Sequence, residues 1–237
     1  MASDPTDTVE VVHVVVPAHD EAQLLPAALD SLTAALEHVR DATAGVTARL
    51  TVVLDACTDD SAQVCAGRDV DVVVTAAGNV GAARAAGTTR AAALAAADAV
   101  APAATWIACT DGDSRVPVDW LTDQLAVARA GADVVLGRVE PDDTAAAAVV
   151  AAWHALHDDG RVGVHGAHLG FRLSAYDAAG GWAHLADRED LDLYRRLLAT
   201  GARYGAATRP VLTSSRLQGR VSGGFAAFLA TLDRPAP

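Results

Sequence analysis

The chain has 237 residues, of which 51% are hydrophobic but only 4% aromatic, so its core must be built from Ala, Val and Leu. That length suits one large domain or two closely packed halves. The formal net charge of −12 excludes general nucleic-acid binding, which needs a basic surface to displace counterions, and it requires any anionic ligand to be held by local arginines or a metal.

Residues 9–16 (VEVVHVVV) form a β-branched run ended by Pro17 and predict a first buried strand. Over residues 21–39, Leu24, Leu25, Ala28, Leu32, Ala35 and Leu36 recur on one face of a helix. Residues 50–54 predict a second strand, 61–66 a short helix and 70–75 a third strand. An Ala-rich helix over 81–100 follows, because Ala has the best helix propensity, and then a fourth strand over 106–110. Strands alternating with helices imply parallel pairing.

The pattern then changes. Helices are expected over 117–130, 144–157 and 188–200, and strands over 133–139 and 203–213. Between them lies a Gly/His-rich segment, 160–172, and the tail is 214–237. Within the tail, residues 223–232 (GGFAAFLATL) are apolar enough for a packing helix, or for contact with a partner or a membrane surface. The fold class is therefore α/β: a mostly parallel sheet with helices on both faces, and an α+β second half. One continuous domain, 1–237, is expected, with a nucleotide-binding half over about 9–116 and a completing half over about 117–237. No apolar stretch reaches 18 residues and residues 1–8 carry no leader pattern, so a soluble, cytoplasmic protein is expected. Cys57, Cys65 and Cys109 match neither a disulfide framework nor a zinc spacing, which fits a reducing compartment.

In open α/β sheets, ligands bind beyond the carboxyl ends of the strands. Four polar motifs fall there. The first strand runs into Pro17-Ala18-His19-Asp20-Glu21, a turn whose backbone can bind a base or ribose, or simply cap the next helix. The second ends at Asp55, whose carboxylate can accept from a base N–H; Thr58, Asp59 and Ser61 read as turn residues. After the third come Gly78, Asn79 and Gly81, small enough for a helix N-terminus to approach a ligand, and Arg84, within reach of a phosphate. This is not a G-x-G-x-x-G dinucleotide fingerprint. The fourth is followed by Thr110-Asp111-Gly112-Asp113-Ser114, a D-x-D pair able to hold a hard divalent cation through oxygen and, through the cation, a diphosphate. Alone, such an acidic loop is more often solvated surface.

The ordered set VPAHDE, LDACTDDS, GNVGAARAAG and TDGDS resembles the GT-A glycosyltransferases of family 2, over about residues 9–200. The resemblance implies a nucleotide-diphosphate sugar donor with Mg2+ or Mn2+, the metal held by Asp113 and Asp111. It places Pro17, Ala18, His19, Glu21, Asp55, Asn79, Gly81, Arg84, Asp111 and Gly112 around the nucleotide sugar. It also implies a downstream acidic pair on a helix, here Glu189 and Asp190. Asp190 would deprotonate the acceptor hydroxyl, with Glu189 the alternative base and a dipole-favoured acidic first turn the bland reading. In the segment His165–Arg172, the resemblance places Gly166, His168 and Arg172 at the sugar or acceptor pocket; His165 or His168 would be a metal ligand, or structural. Arg216 and Arg220, in an acidic chain, read as a clamp for the diphosphate or an anionic acceptor, or simply as a basic tail.

The pattern departs from the family at Ala85, where Asn is more usual, and at Leu54-Asp55, where two acids are common. The Q-x-x-R-W motif of processive synthases is absent. The expected reaction is a single, non-processive, inverting transfer to the hydroxyl of a small-molecule or lipid-linked acceptor. The alternatives are a nucleotidyltransferase or a non-catalytic nucleotide-sugar-binding protein. Oligomeric state stays open.

Overall fold

The computed structural model describes residues 8–157, 162–216 and 225–232. In chain order the elements are β1 (Val11–Ala18), α1 (Leu25–Ala42), β2 (Thr47–Asp55), α2 (Ser61–Cys65), β3 (Asp71–Thr75), α3 (Val80–Ala97), β4 (Thr105–Cys109) and β5 (Ser114–Arg115). Then come α4 (Trp120–Arg129), β6 (Val134–Leu136), β7 (Val139–Pro141), α5 (Ala147–His157), β8 (Leu169–Arg172) and α6 (Leu173–Ala178). The last are α7 (Glu189–Ala199), β9 (Tyr204–Ala206), β10 (Val211–Thr213) and α8 (Phe225–Leu232). Among the described residues, no helix is long and apolar enough to cross a membrane.

Seven strands form a sheet in the order β3-β2-β1-β4-β8-β6-β9, in which only β8 runs antiparallel to its neighbours. A smaller sheet, β5-β10-β7, stands beside it. The β1 alternation decides the layers. Val12, Val14 and Val16 face α1 and α4, where they pack with Leu25, Leu29, Leu32, Trp120 and Leu125. Val15 faces the opposite way, toward α3 and α7, with Ile107, Phe171, Leu193 and Leu197. Helix α3 lies tight on the sheet: a Cβ at Gly87 would overlap Val15 and come within 2.9 Å of Val53. Small residues on α3 thus replace the bulky aromatics that the chain lacks.

Three expectations are corrected. Residues 133–139 form not one strand but two, β6 in the large sheet and β7 in the small one. Residues 203–213 divide likewise into β9 and β10. At the first handover Gly137 sits under the His168 ring, where a Cβ would overlap the imidazole. Pro17 does not end β1, which pairs with β2 through Ala18. The β4 side of β1 is already unpaired beyond Val15, so a residue without an N–H is tolerated there.

Candidate active site

The carboxyl ends of β1, β2 and β4 open into a cavity of about 540 Å3. Its floor is made by the first and fourth loops, tied together where the Gly112 N–H donates to Pro17 O at 3.2 Å. Pro17, Ala18, His19, Glu21, Asp55, Asn79, Gly112 and Asp113 all line it. The His19 ring bonds through Nδ1 to Asp55 O at 2.7 Å, joining the first loop to the second.

Asp55 builds the third loop. Its Oδ1 accepts from Thr75 Oγ1 (2.7 Å), Ala77 N (2.8 Å) and Gly78 N (3.0 Å), and its Oδ2 from Asn79 N (2.8 Å). Burial alone would raise this carboxyl; the Thr75 hydroxyl and the Asn79, Gly78 and Ala77 amides outweigh it and hold the group below the usual range. Oδ2 keeps one lone pair for a ligand. Asn79 caps α3, accepting from Ala82 N at 2.9 Å. Gly81 packs away from the cavity lining. Its N–H donates to Leu185 O at 3.1 Å, and a Cβ would come within 2.8 Å of the Leu185 backbone. Its small size serves the approach of the 183–185 segment, which corrects the expected contact.

The two D-x-D carboxylates face different arginines. Asp111 Oδ1 accepts from Arg84 Nη2 at 2.6 Å, and Arg84 Nε donates to Glu189 Oε1 at 3.1 Å. The Arg84 side chain is only 2% exposed, its guanidinium lies 5.6 Å from the Trp182 ring centroid, and a Cβ at Gly166 would come within 2.8 Å of its Cζ. So Arg84 is held between two carboxylates rather than aimed at a phosphate, and it joins the D-x-D to the acidic helix. Arg216 grips Glu21 through both terminal nitrogens, at 2.9 and 2.8 Å, and reaches Asp113 Oδ2 at 2.9 Å. Asp113 is 13% exposed. Burial and the neighbouring Asp111 push its carboxyl up to about 6, against the opposing pull of Arg216. Arg220 lies outside the described residues.

Asp190, at the start of α7, accepts from Gly166 N (2.7 Å, Oδ2) and from Leu191 N (2.6 Å, Oδ1). Burial pushes the Glu189 carboxyl up, while Arg84 opposes the rise. Both acids line the cavity, whereas Asp192 turns away to pair with Arg196 at 2.6 Å. His165 lines the cavity and burial lowers its pKa.

His168 and Arg172 do not belong to the site. His168 is fully buried behind the sheet, its Nδ1 3.2 Å from Arg138 O and its ring 5.7 Å from Trp120, with burial lowering its pKa to about 4. It is neither a metal ligand nor an acceptor contact. Arg172 donates to Ala103 O (2.9 Å) and Ala128 O (3.2 Å), stapling β8 to the turn before β4 and to the end of α4. Conversely, the cavity recruits Trp153, His157, Phe225 and Phe228, although His157, at i, i+3 from His154, reads in sequence as a surface or packing residue and residues 223–232 as a packing helix or a partner contact. Their signal was present: Trp153 and His157 stand at i, i+4 on a helix, and Phe225 and Phe228 at i, i+3, in a chain poor in aromatics.

Seven carboxylates line the cavity (Glu21, Asp55, Asp111, Asp113, Asp187, Glu189, Asp190) against three guanidiniums (Arg84, Arg188, Arg216). A field of this sign opposes a diphosphate and favours an added cation. The oxygen donors of Asp113 and Asp111, both on the cavity lining, suit a hard divalent ion. Among the described residues, three metal-type side chains converge only at Asp20, Cys57 and Asp59. There the carboxylates brace loops: Asp20 accepts from Thr58 N at 2.6 Å, and Asp59 from Ala22 N at 2.8 Å.

Residues 13–160 match the family described as Glycosyl transferase family 2. No curated protein sequence matches the chain. S. aureus TarS 1-349 superimposes with a TM-score of 0.60 at 14% identity, covering 86% of this chain and 60% of that one. M. tuberculosis glucosyl-3-phosphoglycerate synthase gives 0.56 at 14% identity, with coverages of 94% and 76%. The mannosyltransferase PcManGT from Pyrobaculum calidifontis, in complex with GDP-Man and Mn2+, gives 0.55 at 20% identity, with coverages of 89% and 59%. The chain thus spans about three fifths of the TarS fragment and of the mannosyltransferase. At these identities the structures speak for the fold. A match over more than half of its length, on a sheet shared with these transferases, makes the chain a member of glycosyl transferase family 2 with the GT-A fold.

Proposed function

We propose that this protein is a metal-dependent glycosyltransferase that moves one sugar from a nucleotide-diphosphate sugar to an acceptor hydroxyl, with inversion and without processivity. The observation that carries the reading is that the D-x-D and Asp190 line one cavity, whose lining is strongly anionic. The nucleotide is held by the Pro17–His19 turn, Asp55 and the Gly78–Asn79 loop, and the two halves of the chain meet around the sugar.

A divalent cation on Asp113 and Asp111 would neutralise the leaving diphosphate. Arg216, already beside Asp113, adds a second positive charge there. Asp190 is the base. Each of its oxygens accepts one amide and keeps a lone pair, whereas Glu189 is engaged by Arg84. As the acceptor oxygen bonds to the anomeric carbon, the carbon–diphosphate bond breaks and the hydroxyl proton passes to Asp190. Support for the donor class comes from PcManGT, which carries GDP-Man and Mn2+, and from the mycobacterial synthase, which carries UDP with Mg2+ or Mn2+.

Removal of the metal carboxylate should cost several kcal/mol of transition-state stabilisation, about a thousandfold in rate. Asp113→Asn is therefore expected to lose transfer from UDP- and GDP-hexoses at saturating Mn2+. Near-full, metal-dependent turnover by that variant would overturn the assignment. Anomeric NMR of the product reads the stereochemistry: inversion is expected, and retention would remove Asp190 from its role.

A further inference from the structure

One wall of the cavity takes no part in this chemistry. In a chain of ten aromatic residues, Trp153, Phe225 and Phe228 gather there with His157 and His165. The His157 ring stacks on Trp153 at 3.9 Å, and Phe225 and Phe228 meet Trp153 edge-on at 4.9 and 5.7 Å. Trp153 is itself buried, so it acts as the post that fixes the others. Phe228 remains 41% exposed although it lines the cavity.

Support of the main sheet does not explain this cluster. Val149, Trp153 and Leu229 form an apolar group separate from both cores of the large sheet. The wall is also continuous with the reacting centre. The His165 ring lies 6.4 Å from Trp153, and the next residue, Gly166, donates to Asp190 Oδ2 at 2.7 Å.

The wall offers ring faces and imidazole edges, but no cation of its own among the described residues. Arg84 and Arg216 are engaged with carboxylates, and Arg188 extends from the rim with its side chain 80% exposed. A phosphorylated or carboxylated acceptor would meet Asp187 and Asp190 here without a fixed counter-charge. A ring that is apolar on its C–H face and hydroxylated at its edge fits both the aromatic faces and the nearby base.

We infer that His157, Phe225 and Phe228, held by Trp153, form the acceptor subsite and select an uncharged pyranose ring. This rests on the transfer reading above, and the test separates the two. Saturation-transfer NMR on the full chain with Mg2+ would use UDP or GDP together with methyl pyranosides of glucose, galactose, mannose and N-acetylglucosamine, and 3-phosphoglycerate as the anionic competitor. Saturation is expected on one C–H face of at least one methyl pyranoside. Phe228→Ala, at an exposed position, should raise that glycoside's Kd about two- to tenfold. Nucleotide saturation in the variant reports that it is folded. Nucleotide signal without any pyranoside signal, a pyranoside Kd unchanged in Phe228→Ala, or preference for 3-phosphoglycerate would each overturn the inference alone. Absence of UDP and GDP signals together would overturn the transfer reading and the inference with it.

Discussion

Arg84 connects the two acidic groups of the site. Its guanidinium satisfies Asp111 and Glu189 at once, on residues 27 and 105 positions away in the chain. Each partner was legible as a site residue from its motif, but the pairing was not, because it depends on Gly166 leaving room and on α7 closing from the other half. Loss of one member of a buried pair strands the remaining charges, at about 3–5 kcal/mol. Arg84→Ala should therefore lower stability by roughly that amount in urea unfolding. Arg84→Lys should recover only part, since an ammonium has no fork to span two carboxylates. A change below about 1 kcal/mol in Arg84→Ala would show that the pair is not the brace described here. His168 and Arg172 carried the opposite lesson. The Gly/His-rich string ending in Phe171-Arg172 does not report which side of β8 each residue takes. Gly170 meets Trp106 and Gln124, and Arg172 reaches the end of α4, all away from the cavity.

At the scale of elements, the first half was legible because β1, β2 and β3 are rich in β-branched residues, α1 has a clear apolar face and α3 is a long Ala-rich run. In the second half the helices over 117–130, 144–157 and 188–200 were legible as α4, α5 and α7, but the strands were not, because they are three or four residues long and trade between two sheets. A run such as 133–139 carries one alternation whether or not the chain changes sheet within it; only Gly137 marks the change. β8, antiparallel and hidden in a Gly/His-rich string, gave no strand signal. The close seating of α3 offers a test. Gly87→Ala forces a methyl against Val15 and Val53, and overpacking of this kind costs about 1–3 kcal/mol. The same substitution in an exposed helix would stabilise by up to about 1 kcal/mol, so the sign of the change in urea midpoint decides.

For the whole molecule, buried histidines set the response to acid. Burial, with Arg49 adding to it, lowers the pKa of His13 from 6.5 to about 4, and burial does the same to His168. The unfolded chain takes up protons on both from about pH 6.5 downward, while the folded chain resists until about pH 4. Their contribution is therefore present above pH 6.5 and lost as pH falls toward 4. Asp113 runs the other way: raised from 3.8 to about 6, it favours the folded state on acidification, which offsets only part of the loss. Tm is expected to fall between pH 7.5 and 5, and His13→Gln with His168→Gln should flatten that slope. An unchanged slope in the double variant would place the acid response elsewhere. The excess of negative charge, spread over the chain and concentrated in the cavity, leads to the central claim that a nucleotide diphosphate binds here only with a divalent cation on Asp113. Calorimetric titration of UDP and GDP, with Mn2+ and with chelator, tests it most directly. Heat of binding is expected for at least one of them with Mn2+, lost in chelator and in Asp113→Asn; equal affinity in the absence of metal would overturn the metal dependence.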